Sequence, residues 1–363
     1  MAAAPVGTGG GVPNTYLSKP ITKVFTEKGR GPSYEFAVGN CQGWRVTQED
    51  AHMAHPKFVP DHTALFGIFD GHGGSEVAKW VATKFPDYLK ANLKYKQGHI
   101  ERGIQETFME LDQTLDRKLA MEMGSTGVVL LLSNDIYYCA NVGDSRCVVA
   151  RSNNPDGQDV FALELSQDHK PTSEQEKSRI EKAGGTVING RINGIIDVSR
   201  TFGDRTFKLN SNLNEKDQMI TAWPHTKIEP IKQKNDRFVV LMCDGIWNAL
   251  TNQEVVNHVQ LGLAKKMELD AICTEIIKTV LSKTRGPAAP TNGIAGLDNM
   301  TIMIVKPMVE SHTKEPAKEQ SKSKGSKKGH TNSAGSSKSS GARSKSLTKS
   351  TKSKTGGRKK SAK

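Results

Sequence analysis

The run Leu65-Phe66-Gly67-Ile68-Phe69 ends abruptly on Asp70-Gly71-His72-Gly73-Gly74, and that junction limits what the chain can become. An apolar run bounded by turn residues reads as a core strand. A carboxylate at its end is then held at the rim of a sheet. Gly71 has no Cβ, so its own carbonyl can approach a ligand as closely as the Asp70 side chain does. Carboxylate and carbonyl oxygens together suit a hard divalent cation such as Mg²⁺ or Mn²⁺. Gly/Asp-rich segments are also common as plain polar turns. The motif alone leaves both readings open, and the rest of the chain weighs between them.

Two more apolar segments meet an Asp in the same way. Phe238–Cys243 runs into Asp244-Gly245, and Met300–Val305 is entered from Asp298-Asn299. Strands are expected at Tyr34–Val38, Thr63–Phe69, Gly127–Ser133, Ile136–Val142, Cys147–Ala150 and Val160–Leu165. Ser133-Asn134-Asp135 and Gly143-Asp144-Ser145 stand between three of these at hairpin spacing. Helices alternate with the groups of strands. Ser75 can cap one that carries Val77, Trp80, Val81 and Phe85 on one face. Ile100, Ile104, Phe108, Leu111, Leu115 and Leu119 recur at gaps of 4, 4, 3, 4 and 4, one stripe that predicts a single long helix packed on something flat. Thr172/Gln175 and Thr251/Glu254 have capping-box spacing, and helices are expected from Thr251 to about Thr284. Residues 205–220 are polar and read as a surface loop or small insert. Adjacent hairpin strands with helices grouped outside them predict an α+β fold of mostly antiparallel sheets.

Charge divides the chain. From His312 onward there are sixteen Lys/Arg and two Asp/Glu, leaving 35 basic and 36 acidic residues before it. The body is near neutrality, and the net +13 of the whole resides in a Lys/Ser/Gly/Thr tail too poor in apolar residues to bury a core. We expect a flexible arm over residues 1–20, a folded domain over 21–311 and a basic tail over 312–363. The tail is suited to nucleic acid, an anionic membrane or another polyanion. The five cysteines form no CxxC and no zinc spacing, so they read as reduced thiols of a cytoplasmic, or additionally nuclear, protein. No apolar run has the ~18–20 residues of a membrane helix. The start of the chain lacks a signal peptide's regions, and Ala2 stands where myristoylation needs glycine.

Carboxylates gathered at one end of a sheet assembly repel one another unless a counter-charge is present. Divalent cations are the simple remedy, and two of them ~3.5–4 Å apart can activate water and clamp a phosphoryl group. Arg45 offers a bidentate fork for phosphate oxygens. With this chemistry in view, Cys41-Gln42-Gly43-Trp44-Arg45-Val46-Thr47-Gln48-Glu49-Asp50-Ala51-His52 resembles the opening motif of the metal-dependent protein phosphatases (PPM family, type 2C). Phe69-Asp70-Gly71-His72-Gly73-Gly74 resembles its second. Gly124-Ser125-Thr126, Asn141-Val142-Gly143-Asp144-Ser145-Arg146, Asp168-His169-Lys170-Pro171, Asn193-Gly194, Val198-Ser199-Arg200, Phe202-Gly203-Asp204, Asp244-Gly245-Ile246-Trp247 and Asp298-Asn299-Met300 follow in the family's order. The likeness covers about residues 20–306.

The resemblance implies a central sandwich of two β-sheets flanked by helices on both outer faces. It implies hydrolysis of phosphoserine and phosphothreonine in phosphoproteins, without a phosphoenzyme, by a monomer working at two tightly held Mn²⁺ or Mg²⁺ ions. Carried over by motif, Asp70 bridges the ions and Gly71 lends its carbonyl. Glu49, Asp244 and Asp298 complete the shell, with Asp50 beside them. Arg45 binds the substrate phosphate, and His72 protonates the leaving alkoxide. Asp144 with Asp244 frames a third, weaker metal site. One position departs from the pattern: Asn248 stands where many members have Asp, which weakens that third site.

Two rival readings fall away. A cysteine phosphatase needs Cys-x5-Arg, but six residues separate Cys139 from Arg146, in a segment that reads as strand and turn. A catalytically dead scaffold tethered by its tail would not be expected to keep Asp70, Asp244 and Asp298.

Overall fold

A computed structural model of the chain describes residues 16–60, 63–155, 157, 159–284 and 295–308. Of the expected arm, residues 1–15 lie outside the described residues, as do most of the Pro/Gly loop after Thr284 and the whole basic tail. The described part of the arm is ordered: Tyr16–Ile21 is a strand paired antiparallel with Gly43–Arg45.

The architecture follows from strands whose two faces are both apolar. Thr63–Phe69 is buried at every residue. Successive side chains point to opposite sides, so Phe66 and Ile68 join one apolar cluster while Leu65 and Phe69 join another. Across the first sheet run Ala51–Phe58, Thr63–Phe69, Gly127–Ser133, Ile136–Val142 and His225–Pro230. Across the second run Phe25–Arg30, Tyr34–Cys41, Met300–Pro307, Asp236–Met242, Arg146–Ser152 and Val160–Glu164. Every pairing within them is antiparallel. Phe66, Ile68, Val128 and Leu130 of the first sheet meet Phe36, Val38, Val239, Leu241, Met303 and Val305 of the second. The Phe36 and Phe66 rings lie 5.7 Å apart across this interface. Burying one such ring contributes about 2–3 kcal/mol.

Each outer face is covered by helices. Glu76–Ala91 and Ile100–Thr114 lie on the first sheet through Val77, Val81, Phe85, Ile104, Phe108 and Leu111. Asn252–Ala264 and Leu269–Val280 lie on the second through Val255, Val256, Val259, Ile272, Ile276 and Ile277. The expected sandwich with helices outside is therefore the fold observed.

Four local expectations change. The 100–119 stripe is not one helix: the chain leaves helical geometry at Leu115 and restarts as Arg117–Glu122. Asp116 caps the second piece by accepting from the amides of Lys118 and Leu119, each at 3.0 Å, a capping signal that the apolar spacing hides. Helix Glu174–Lys182 starts from Ser173 rather than through a Thr172 box. The Thr251/Glu254 box is present in full. The segment around 205–220 carries a small core of its own, with Phe207, Met219 and Ile220 packed with Ile180 and Ile192.

The fourth change concerns Gly143-Asp144-Ser145. It is not a hairpin turn, because the strands on either side of it belong to different sheets. Gly143, at φ +84°, carries the chain across. This crossing and the antiparallel registers bring the acids to one rim. Ala51 pairs with Phe69, which sets Asp50 beside Asp70. Met242 pairs with both Arg146 and Ile302, which sets Asp244 between Asp144 and Asp298.

Candidate metal centre

Asp70 is fixed through its backbone. Its N–H donates to Thr126 Oγ1 at 3.2 Å, and its carbonyl accepts from the Thr126 N–H at 2.9 Å and the Ser125 hydroxyl at 3.2 Å. Ser125 and Thr126 thus hold the strand end in place, and the Asp70 carboxylate is left to face the other acids. Gly71 is required by close approach, since a Cβ there would run into the Glu49 and Gly74 carbonyl oxygens and the Ala78 methyl. Asn299 organises the opposite loop. Its Oδ1 accepts from the Glu49 N–H at 3.0 Å, and its Nδ2 donates to the Gln42 and Thr47 carbonyls at 2.9 Å each.

Among the described residues, one oxygen each of Asp50 and Asp70 and the Cys243 sulfur lie within 4.8 Å of one another. Thr301 Oγ1 donates to Asp50 Oδ2 at 2.6 Å, whereas Asp50 Oδ1 is buried with no partner among the described residues. The Arg45 Nε and both amide atoms of Gln48, in the neighbouring loop, are likewise buried and unpartnered. Burial pushes the Asp50 carboxyl up to about 6, against the hydrogen bond from Thr301. Asp70 is pushed well above the carboxylate range by burial and then by Asp50, Asp244, Asp298 and Asp144. Asp244 rises to about 8, through burial and then Asp144, Asp298 and Asp50. A cluster of acids so short of positive charge fits divalent cations.

The remaining site residues are placed less simply. Arg45 Nη2 pairs with Asp298 at 2.5 Å, so its fork is engaged by one of the expected ligands. The Glu49 side chain accepts from Thr47 Oγ1 at 2.9 Å and stands outside the close group. His72 Nε2 lies 2.8 Å from Asp204 Oδ2. Asp144 is buried and ion-paired with Lys170, while Trp247 Nε1 donates to its carbonyl at 2.9 Å. Burial raises the Asp144 carboxyl even against that ammonium. Asn248 turns its Nδ2 to Asp244 Oδ2 at 3.1 Å. At the expected third site the Asp144 and Asp244 carboxylates are thus engaged by an ammonium and an amide N–H of the chain. Cys243, Asn299, Lys170 and Asp204 had no role assigned from sequence. Only their contacts across 132 to 252 residues of chain in two cases reveal them.

A family model described as "Protein phosphatase 2C" matches residues 34–286. The chain belongs to the protein phosphatase 2C family. A probable protein phosphatase 2C 3 of Paramecium tetraurelia is 37% identical over 304 residues, which cover 80% of this chain and 98% of the relative. Protein phosphatase 2C homolog 2 of Schizosaccharomyces pombe is 35% identical over 298 residues, 80% and 77% of the two chains. In fold the chain is similar to a phosphatase of Toxoplasma gondii, with a TM-score of 0.64 at 22% identity over 78% of this chain and 96% of that one. As a protein phosphatase 2C, the chain is a metal-dependent serine/threonine protein phosphatase, a hydrolase. Among the described residues no helix is long and apolar enough to cross a membrane.

Proposed function

We propose that the rim of Asp70 hydrolyses phosphoserine and phosphothreonine in phosphoproteins with water, at two Mn²⁺ or Mg²⁺ ions and without a phosphoenzyme. The supporting observation is the repelling Asp50–Asp70 pair, Asp50 buried and Asp70 half-buried, with Asp50 Oδ1 left without a partner among the described residues. Asp70 would lie between the ions, with the Gly71 carbonyl, Glu49, Asp244 and Asp298 completing the set and Asp50 against them. Bound there, such ions turn water into a nucleophile near neutral pH and offset the charge of the phosphoryl oxygens.

The chain's own groups do the rest. Arg45 presents its fork to the substrate phosphate, which competes with Asp298 for it. His72 delivers a proton to the leaving oxygen. The imidazole is biased toward its charged form: burial opposes the charge, but the Asp204 carboxylate outweighs burial and raises His72 above its ordinary value. A covalent cysteine route is disfavoured by the thiols themselves. Cys139, the thiol such a route would use, is buried inside strand Ile136–Val142 and does not stand on a loop that could surround a phosphate. Arg146, the partner such a route would need, is held by Asp168 at 2.8 Å instead.

The test is turnover of a phosphothreonine peptide by the purified chain. Activity is expected to need added Mn²⁺ or Mg²⁺, to vanish with EDTA and to return with metal. EDTA-resistant hydrolysis, or a trapped phosphoenzyme, would overturn the proposal.

A further inference from the structure

We propose that Asp204 is a positioning residue for His72, holding its Nε2 so that Nδ1 is the nitrogen presented to the leaving oxygen; this rests on the hydrolytic reading above. The two Asp204 oxygens lie 3.0 and 2.8 Å from His72 Nε2. A short sheet puts them there. Gly71–His72, Gly124–Ser125 and Phe202–Gly203 run side by side, with Gly124 in the middle paired to His72 on one side and Gly203 on the other. A Cβ on Gly124 would overlap both Asp204 Oδ2 and His72 Nε2. The bare glycine is what lets a carboxylate and an imidazole meet across the central strand.

Asp204 is held for this purpose from several directions. Its backbone sits in the left-handed region at φ +50°, an uncommon conformation for a residue with a side chain. Its N–H donates to the Met123 carbonyl at 3.0 Å, and Thr201 Oγ1 donates to its Oδ2 at 2.6 Å. The preceding Gly203 N–H donates to Asp112 Oδ1 at 2.8 Å, and Lys208 Nζ reaches both Asp112 oxygens at 2.9 Å. Asp112 belongs to helix Ile100–Thr114, which packs on the outer face of the first sheet. The loop that aims Asp204 is thus tied to a rigid element. An Asp–His pair of this kind fixes the orientation of the ring and the nitrogen that carries the second proton.

In the step that results, the water oxygen bonds to phosphorus as the bond from phosphorus to the seryl or threonyl oxygen breaks. That oxygen keeps the electron pair and takes the Nδ1 proton of His72. The water releases its own proton to solvent, from which Nδ1 is recharged. Asp204 stays ionised throughout and holds Nε2–H.

The test compares esters with different leaving groups in the full chain with saturating Mn²⁺. An alkoxide needs the proton, whereas p-nitrophenolate leaves without one. Asp204→Asn keeps the shape and tolerates the left-handed backbone. Its loss of kcat on a phosphothreonine peptide should exceed its loss on p-nitrophenyl phosphate by about ten-fold or more. Gly124→Ala, which parts the pair without removing either side chain, should show the same selectivity. Adding Asp204→Asn to His72→Gln should cost less than about two-fold further. A downfield, slowly exchanging Nε2–H resonance should be present in the wild type and absent from His72→Gln and Asp204→Asn. Equal losses on both esters in variants that melt like the wild type, additive effects in the double variant, or no such resonance would overturn the proposal. A wild type inert toward both esters would instead sink the phosphatase reading, and the resonance would still decide whether the pair exists.

Discussion

Two buried carboxylate centres in this protein have opposite surroundings. Glu176, 3% exposed, accepts from Arg179 Nη1, Arg200 Nη2 and Ser199 Oγ, each at 2.6 Å. Despite burial, the two guanidinium groups and the hydroxyl hold its carboxyl down at about 2. Asp50, 8% exposed, accepts from Thr301 Oγ1 and leaves its other oxygen without a partner, and beside it Asp70 faces four acids. Burial is similar; counter-charge is not. At Glu176 the chain supplies its own cations and the result ties helix Glu174–Lys182 to Arg200. Around Asp70 the chain's own cations are spent on Asp298 and Asp144, through Arg45 and Lys170, and none is paired with Asp70 or Asp50 among the described residues. A buried acid with its partners built in is structural, and one without them is an acceptor site.

The largest effect expected from this contrast is at Asp70. Asp70→Asn should lower kcat on a phosphothreonine peptide by several orders of magnitude at saturating Mn²⁺. The melting temperature of the metal-free protein should nevertheless hold or rise, because a like-charge repulsion is removed. Retained activity above about a tenth, or a clear loss of metal-free stability, would break the comparison. Glu176→Gln should do the reverse. It leaves two buried arginines without their anion, and we expect a loss of about 3 kcal/mol, read as a melting temperature lower by roughly 6–12 °C. Unchanged melting would show that the network contributes no net stability.

The pH response of the same network has a definite sign. Glu176 is lower folded, at about 2, than its ordinary 4.5. Its contribution is therefore complete above about pH 4.5 and drains away as pH falls toward 2. Acid titration of melting temperature should show a drop in this window for the wild type and a shallower one for Glu176→Gln. A parallel pair of curves would contradict the assignment.

Smaller effects are expected at the rim of the centre and in the tail. Asn248→Asp exchanges an amide donor on Asp244 for a carboxylate. It should tighten a weak divalent cation by roughly ten-fold, visible by calorimetry as a weak binding phase moved to lower metal concentration than in the wild type. Identical titrations would show that residue 248 does not govern a metal position. Removing residues 312–363 should change kcat on p-nitrophenyl phosphate least of all. It should weaken binding to heparin or nucleic acid, most strongly at low salt. Salt-insensitive binding, or equal binding by the shortened chain, would show that the tail's positive charge is not what holds a polyanion.

Much of the architecture could be read from residue order because it depends on local pattern. Thr63–Phe69, Gly127–Ser133 and Ile136–Val142 are observed within the bounds that their apolar runs suggest. The Thr251 box works because its partners are three residues apart. Weaker strands leave no such pattern in the sequence. Ala51–Phe58 carries two histidines, a proline and a lysine, and His225–Pro230 is half-exposed at a sheet edge, so neither has a continuous apolar signal. The break at Leu115 was hidden because its neighbours keep the helical period on both sides of the cap.

The sequence by itself determined which residue types would end the core strands: Asp70, Asp244 and Asp298 are written at the boundaries of apolar runs, and burial of those runs drives the acids to a rim. Only the tertiary structure decided their company. The crossing at Gly143, the pairing of Ala51 with Phe69 and the bare strand at Gly124 determine which acid meets another acid, which meets Lys170 and which meets His72. Hydrophobic burial is non-directional and follows composition. Charge pairing depends on distances of a few ångströms between residues far apart in the chain, and those distances exist only once the sheets have closed on each other.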